Sequence, residues 1–512
     1  MQTVNRTLVN VACSILVLAA NVAISLILSP FIVETVGIEA NGFVSLANNC
    51  VTYAQLIVMA LNSMSARFVS IAYARGDYRK ANLYYNSVFW GKLIVVAALV
   101  VPAALCVVKL ELLFDVPSDI LLDVKLLFAL VFFNFFISTG LPNWDCATYA
   151  TNRLDRSYIP QALAGIVRCL LLLALFSCLV PRVWYVGAAA SVMTIMVLVA
   201  NAYNTRKLTP ELRVGFRRGR RMCSRAALAE LVMSGIWNSV ANVGTILLSG
   251  LDILLCNTLI GATAMGYMAL SKNLPILIQQ LAGSICNAFA PELTLDYARG
   301  DRKRLLADID RAIVLTSCIM TVPLSGIIVL GDRFYHLWVP AQNADLLWVL
   351  SVLAVLGYAF TSGTQILYNV FATMNRVKPN ALAVLLCGVA SIVIVVFLVE
   401  NTELGLFAVA GVSTVVNLVR NMVFTLPMTA HYLGCPWYRF YPSVGKTMLD
   451  VAILVVLGFV IKPWLPDGSW VAFSASAILF AVAAFLFNFF FFLDSESRSA
   501  VLRRFRIIPP RS

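Results

Sequence analysis

The pentapeptide YARGD occurs at Tyr73–Asp77 and again at Tyr297–Asp301, 224 residues later. The same offset aligns identical residues before the motif, and an offset of 223 continues the match after it. The pairs at 224 are Ser25 with Ser249, Gly37 with Gly261, Ala40 with Ala264, Gly42 with Gly266, Leu46 with Leu270, Asn49 with Asn273, Gln55 with Gln279 and Ala66 with Ala290; those at 223 are Gly140 with Gly363, Asn152 with Asn375, Arg153 with Arg376 and Gly165 with Gly388. An offset that holds over so many positions predicts an internal repeat.

The composition indicates a membrane protein. Apolar residues make up 61% of the 512 residues, charged residues only 12%, and the mean hydropathy is +0.87. A soluble chain is about half apolar and a quarter charged. The net charge of +13 could suggest nucleic acid as a partner, but the basic residues lie in short loops between apolar stretches. That distribution is typical of a protein whose orientation in the membrane is set by charge, so no nucleic-acid partner is expected.

Fourteen apolar stretches are long enough to cross a membrane, since a helical crossing needs about 20 residues. Their limits are 8–33, 42–66, 86–110, 121–144, 158–181, 184–205, 228–257, 264–289, 311–331, 343–372, 380–400, 404–428, 447–465 and 469–493. The repeat offset covers six of them, an even number, so both copies enter the membrane in the same direction. The sequence therefore predicts an all-α polytopic membrane protein with two parallel six-helix repeats and two extra C-terminal helices.

The charge distribution orients these spans. With both termini in the cytoplasm, cytoplasmic segments hold 30 Lys and Arg residues, outer ends and loops hold 5, and span interiors hold 3. Lys and Arg set orientation, so this asymmetry predicts that both termini are cytoplasmic. The domain limits follow from the spans: an N-terminal lobe at 1–205, a basic loop at 206–227, a C-terminal lobe at 228–445, helices 13 and 14 at 446–493, and a basic tail at 494–512.

Polar residues form stripes along four of the predicted helices. The spacing of three or four residues places each stripe on one helix face. The stripes comprise Asn10, Ser14, Asn21 and Ser25 in helix 1; Asn41, Ser45, Asn48, Thr52, Gln55 and Asn62 in helix 2; Ser234, Asn238, Asn242, Thr245, Ser249 and Asp252 in helix 7; and Lys272 and Gln279 in helix 8. Such residues often join packed helices. Stripes at repeat-related positions favour a water-filled central cavity between the lobes, and Asn21, Asn48, Gln55, Asn62, Asn238, Asn242 and Gln279 are its candidate lining residues.

Four charged residues lie well inside the spans: Arg168, Asp252, Lys272 and Arg420. A charge at the membrane centre costs at least about 2.5–3.5 kcal/mol, so each is a candidate functional residue. Asp252 and Lys272 are also placed to form an ion pair that only locks helix 7 to helix 8, and both interpretations stay open. Lys92 and Asp450 lie nearer the predicted cytoplasmic ends, where we expect them to reach the membrane surface.

Catalysis has few residues to support it. The chain has two distant histidines, His336 and His431, and 12 cysteines without a CxxC pair, so neither a metal site nor a cofactor is predicted. No GxxxxGK[ST] phosphate-binding loop is present, and the predicted outer loops are too short to form a catalytic domain. An integral-membrane glycosyltransferase would need a carboxylate cluster near a membrane face, which the sequence does not show. We therefore expect a protein that is not an enzyme.

Two segments resemble polysaccharide flippases. These are NSMSARFVSIAYARGDYRKANLYYNSVFWG at residues 62–91 and ATMNRVKPNALAVL at residues 372–385. With fourteen spans in two six-helix repeats, the chain is similar over nearly its whole length to the multidrug/oligosaccharidyl-lipid/polysaccharide exporter superfamily, and within it to O-antigen or repeat-unit (Wzx-type) flippases. These motifs are typical of the superfamily as a whole and do not identify one substrate.

This resemblance implies an exporter that alternates access to a central cavity lined by helices 1, 2, 7 and 8. The implied cargo is an undecaprenyl-diphosphate-linked oligosaccharide, flipped from the cytoplasmic to the periplasmic leaflet for surface polysaccharide and lipopolysaccharide assembly. Lys272, Arg168 and Arg420 are then the candidate cations for the anionic cargo. Membrane lipids and the polysaccharide polymerase and chain-length machinery are the partners that this role implies.

Two related functions remain as alternatives. One is a lipid II or teichoic-acid-type flippase. Lipid II flippases carry several arginines in helices 1, 2 and 8, whereas here helices 1 and 2 have none inside and helix 8 has only Lys272. The other is a cation-coupled multidrug exporter with Asp252 as its ion site, although such exporters usually have twelve spans. The two extra spans favour a sugar-lipid cargo.

Overall fold

The chain is helical throughout the part that the computed structural model describes, namely Cys13, Val17, residues 22–151, 153–215 and 224–493, and Arg498. Short 3₁₀ and π segments interrupt or extend some helices, and these described residues contain no β-strand. By backbone proximity the chain divides into two units, Met1–Ile246 with Ile253–Ala269, and Leu247–Asp252 with Leu270–Ser512. The predicted all-α membrane fold is confirmed.

The first unit contains the helices up to the middle of the chain. They are α1 (Val22–Thr35), α2 (Ile38–Ala74), α3 (Tyr78–Val108), α4 (Leu110–Leu113), α5 (Leu121–Gly140), α6 (Asp145–Ala150), α7 (Asp155–Cys178), α8 (Trp184–Leu208), α9 (Arg225–Thr245), and most of α10 (Asp252–Leu259) and α11 (Ala262–Ser271). A buried cluster around Val69, Tyr85, Val88 and Leu231 joins α2, α3 and α9. Burial of this kind of apolar surface contributes about 25 cal/mol per Å².

The second unit contains the remaining helices. They are α12 (Asn273–Ala298), α13 (Arg302–Trp338), α14 (Ala344–Thr361), α15 (Leu367–Thr373), α16 (Val377–Asn401), α17 (Leu406–Arg420), α18 (Leu426–Tyr432), α19 (Tyr441–Ile461) and α20 (Trp470–Phe487). The longest of them, α13, packs against α12, α14, α19 and α20 and forms the centre of this unit.

Eleven helices in the described residues are long and apolar enough to cross a membrane, and a bent pair, Ala226–Met233 with Gly235–Gly250, makes twelve. The two other predicted spans account for the difference from fourteen. Predicted span 1 begins in residues outside the described part. Its described portion forms only the shorter helix α1. Span 8 is divided at Lys272 into α11 and α12.

The repeated YARGD motif forms the same helix–helix connection in both copies. Gly76 and Gly300 have φ values of +74° and +73°, a left-handed conformation that glycine adopts without a steric penalty. The next residue caps the following helix: Asp77 Oδ1 accepts a hydrogen bond from Lys80 N at 2.9 Å, and Asp301 Oδ1 accepts one from Arg304 N at 3.0 Å. The motif therefore ends one helix and begins the next.

The division of span 8 has a local cause. Pro275 has no N–H, so it cannot bond to the carbonyl of Ser271, four residues earlier. That carbonyl instead accepts hydrogen bonds from Ser351 Oγ at 2.7 Å and Tyr335 Oη at 3.3 Å. Because a bilayer offers no water to a free carbonyl, these two side chains allow the helix to be interrupted there.

Within the first unit, α2 and α11 approach backbone to backbone. A Cβ atom on Gly42 would lie 3.1 Å from Gly266 Cα, and a Cβ atom on Gly266 would lie 2.6 Å from the Ile38 carbonyl oxygen. Gly42 and Gly266 are repeat partners, as are Glu39 and Thr263, whose side chains are hydrogen-bonded at 2.8 Å. Equivalent positions of the two repeats thus meet here, and only glycine allows so close a crossing.

Candidate functional site

The first unit holds a polar cavity of about 590 Å³. Small-molecule sites commonly have about 300–1,000 Å³. Helices α2, α3, α5, α6, α8 and α9 all contribute side chains to it. Its polar lining residues are Thr52, Gln55, Asn62, Lys92, Ser138, Thr139, Asn143, Asp145, Asn201 and Asn242. Three of the predicted site residues, Gln55, Asn62 and Asn242, therefore lie in one cavity, and their role in substrate binding stays a prediction.

Lys92 lies in this cavity with only 4% of its surface exposed. The prediction that it reaches the membrane surface is wrong, because its ammonium faces the interior of the unit. It lies fourteen residues after Tyr78, about 21 Å along α3 at 1.5 Å per residue. Among the described residues no carboxylate forms a salt bridge with Lys92. Sequence reasoning missed it because α3 begins eight residues before the predicted span.

Asp145 supplies the negative charge of the same cavity. It is the first residue of α6, and its Oδ1 atom accepts a hydrogen bond from Asn201 Nδ2 at 2.8 Å. Asn201 Oδ1 is buried without a hydrogen-bond partner among the described residues. Beside them, Trp144 adds an aromatic surface to the lining. The cavity therefore presents a cation, a carboxylate, several amides and an indole, which together suit a polyhydroxylated, charged ligand.

A second cavity of about 530 Å³ lies in the same unit. It shares Pro142 and Trp144 with the first cavity, so these two residues form a common wall. Arg206 and Arg213 contribute to its lining and make it basic. Arg206 and Arg213 belong to the segment predicted to be cytoplasmic, so the pair of cavities lies toward that predicted side.

Lys272 and Asp252 form an ion pair in the second unit, with Lys272 Nζ 2.6 Å from Asp252 Oδ2. The same Nζ donates to the carbonyl of Ser249 at 2.7 Å. Ser249 belongs to a π-helical segment, Ile246–Gly250, which precedes α10. Lys272 lies at the break in predicted span 8, and it is therefore bonded to two residues at the π segment of predicted span 7. This geometry supports the ion-pair interpretation that the sequence left open.

Arg420 is also held by internal partners. It is 7% exposed, and one of its terminal nitrogens donates to Tyr368 Oη at 2.7 Å and to Asn417 Oδ1 at 2.9 Å. Its guanidinium carbon lies 5.3 Å from the centre of the Tyr368 ring. Tyr368 Oη bonds Asn421 in turn. Arg420 therefore stabilises the junction of α17 with the π segment Asn421–Thr425.

Arg168 lies on the buried face of α7, on the same stripe as Gly165 and Leu172. Its Nε atom is buried and has no hydrogen-bond partner among the described residues. The role of Arg168 in binding cargo stays a prediction. Asn21, another predicted cavity residue, lies outside the described residues.

Asn48, Asn238 and Gln279 are not among the residues that line this cavity. Asn48 Nδ2 donates to the carbonyl of Val44 at 2.8 Å, and the Asn238 carbonyl accepts from Asn242 Nδ2 at 2.8 Å. Gln279 is an exposed residue of α12 in the second unit. Asp450, which was expected to reach the membrane surface, is only 3% exposed; that prediction is wrong, because α19 turns this side chain into its own unit.

Comparisons with known proteins agree with this architecture. No protein-family model matches the chain. A curated relative, "Uncharacterized membrane protein EpsK" of Bacillus subtilis (strain 168), is 28% identical over 505 residues, which cover 97% of this chain and 98% of that protein. The sequence similarity therefore spans nearly the whole length of both chains.

Two solved structures share the fold. "Lipid II flippase MurJ, inward closed conformation" matches with a TM-score of 0.66 and 13% identity, covering 97% of this chain and 100% of that one. An inward-facing multidrug resistance MATE family transporter of the MOP superfamily matches with a TM-score of 0.61 and 13% identity, covering 81% and 94%. The fold of this chain is therefore the one found in MOP-superfamily transporters. The match to the MurJ structure covers more of this chain than the MATE match.

Proposed function

We propose that this chain is a flippase that moves an undecaprenyl-diphosphate-linked oligosaccharide from the cytoplasmic to the periplasmic leaflet by alternating access, for surface polysaccharide assembly. The observation that carries the proposal is the polar cavity of the first unit. A sugar needs many hydrogen bonds to leave water, and Gln55, Asn62 and Asn242 offer amides inside a helical membrane unit. Flipping breaks no covalent bond, so the cavity requires no catalytic group.

The fold supports this proposal in general terms, since both a lipid II flippase and multidrug exporters have it. The cavity supports the sugar-lipid cargo in particular. Multidrug binding favours apolar and aromatic walls, whereas ten polar residues line this cavity and Trp144 is its only aromatic lining residue among the described ones.

The second candidate is a cation-coupled drug exporter with Asp252 as the ion site. The structure gives it less support, because Asp252 is bonded to Lys272 and is 5% exposed. A lipid II or teichoic-acid-type cargo has the same anionic lipid carrier and fits the cavity equally. The test must therefore separate drugs from lipid-linked sugars first.

The test compares cells with and without the chain. Loss of a flippase leaves lipid-linked oligosaccharide in the cytoplasmic leaflet and abolishes surface polysaccharide, whereas loss of a drug exporter raises sensitivity to cationic dyes and leaves polysaccharide intact. We expect the first result. Asn62→Trp, which fills the cavity, should reproduce the loss, and Ile94→Trp serves as the matched control, since Ile94 is 69% exposed on α3. Dye sensitivity with normal polysaccharide would contradict the proposal.

A further inference from the structure

The first unit contains a buried cation, Lys92, whose ammonium has no direct hydrogen-bond or salt-bridge partner among the described residues. Lys92 Nζ belongs to a side chain with 4% exposure, yet within the described residues it has neither a hydrogen bond nor a salt bridge. An ammonium moved out of water costs several kcal/mol unless an anion or acceptors surround it. Asp145 lines the same cavity and attracts Lys92, but its Oδ1 atom is bonded to Asn201.

Lys272 and Arg420, two other interior cations, do not share this property. Lys272 is bonded to a carboxylate and a carbonyl, and Arg420 is bonded to a phenol and an amide. Both belong to the second unit and stabilise interrupted helices there. Lys92 is different because its surroundings are a cavity large enough for a ligand.

The repeat gives an independent argument. Asp77 and Asp301 cap α3 and α13, so Lys92 corresponds to Thr316, which lies fifteen residues after its own cap, as Lys92 does. Thr316 is fully buried in the second unit. A lysine with only a structural role in the repeated fold would be expected at both positions. The charge instead belongs to the copy whose helix lines this cavity.

We propose that Lys92 binds an oxyanion of the cargo in the cavity of the first unit, while Asp145 and Asn201 accept hydrogen bonds from the adjacent sugar hydroxyls. This inference rests on the proposed function and names the subsite for it. The ligand chemistry is a sugar that carries an oxyanion, either the phosphate next to the first sugar or the carboxylate of an acidic sugar. A lysine suits a cargo that must leave again, because its three donors sit on a flexible stem.

The first experiment measures the charge of the cavity directly. A single cysteine replaces Asn242 in a variant whose twelve native cysteines are removed, and purified protein reacts with anionic and cationic methanethiosulfonates of similar size. A nearby ammonium raises the local concentration of the anionic reagent, so the anionic-to-cationic rate ratio should fall about 5- to 10-fold in Lys92→Gln. Lys109→Gln, which removes an exposed cation directly after the C-terminal end of the same helix, should leave the ratio unchanged.

The second experiment identifies the source of the oxyanion. Inorganic pyrophosphate, glucuronic acid and the neutral N-acetylglucosamine are tested for protection of the same cysteine. Protection by pyrophosphate that is lost in Lys92→Gln and kept in Lys92→Arg supports the phosphate; the same pattern with glucuronic acid alone supports an acidic sugar. Equal rate ratios in both proteins, or protection by no anion, would overturn the inference. Neither readout depends on transport, so a chain that labels as expected but does not flip sugar lipids would contradict only the proposed function.

Discussion

Lys272 Nζ lies 2.6 Å from Asp252 Oδ2 and 2.7 Å from the carbonyl oxygen of Ser249, so one ammonium bonds both a buried carboxylate and a backbone carbonyl. Asp252 follows the π segment in predicted span 7, and Lys272 lies at the break in predicted span 8. The contact therefore joins the π segment before α10 to the break between α11 and α12.

The first prediction concerns this pair. Lys272→Met or Asp252→Leu alone should destabilise the protein by about 3–5 kcal/mol, because each leaves an uncompensated buried charge. The double variant should recover most of that loss, less about 1 kcal/mol for the hydrogen bond to Ser249. Thermal unfolding of the purified variants, followed by tryptophan fluorescence, measures the effect.

The same variants separate a structural pair from a cargo contact. If the pair is structural, the folded double variant should export polysaccharide. A stable double variant without export would instead assign a transport role to Lys272 or Asp252.

The second prediction concerns the crossing of α2 and α11. Gly266→Ala should destabilise the protein by about 1–3 kcal/mol, because the new methyl group would lie 2.6 Å from the Ile38 carbonyl oxygen. Gly283→Ala is the matched control, since nothing lies within 4 Å of a Cβ atom there. It should be neutral or stabilising by about 0.5–1 kcal/mol. Equal unfolding temperatures for the two variants would show that the helices separate easily at Gly266.

The third prediction concerns the repeated caps. Asp77→Ala and Asp301→Ala should each cost about 1 kcal/mol, because each removes the acceptor for a backbone N–H at the start of a long helix. Asp77→Asn and Asp301→Asn should retain most of the stability, since the Asn side-chain oxygen can accept the same hydrogen bond from the backbone N–H. Unfolding of the two alanine variants should show similar losses, and a large difference would mean that the two copies of the motif are not equivalent.

The fourth prediction concerns orientation. Reporter fusions at position 219 and at the C-terminus should report the cytoplasm, and fusions near Asn401 should report the periplasm, because Lys and Arg concentrate in the segments assigned to the cytoplasm. A periplasmic C-terminus would contradict the count of fourteen spans. The orientation also bears on the proposed function. With cytoplasmic termini, the two cavities of the first unit would lie toward the cytoplasm, where the proposed cargo is made.

The sequence by itself determined the class of fold, the positions of most spans and the repeat. These are local or periodic properties, because about 20 consecutive apolar residues can satisfy their backbone in a membrane only as a helix or a closed barrel. Gln55, Asn62 and Asn242, which share helix faces with other polar residues, line the cavity of the first unit, and their role in substrate binding stays a prediction.

Only the tertiary structure decided which interior charges are free. Lys272, Arg420 and Lys92 look alike in the sequence, as single cations in apolar helices. Lys272 meets Asp252 and Arg420 meets Tyr368, whereas Lys92 meets a cavity whose carboxylate lies 53 residues along the chain, on α6. The partner of a buried charge depends on how separate helices pack against one another, and that packing brings together residues whose spacing along the chain follows no helical period.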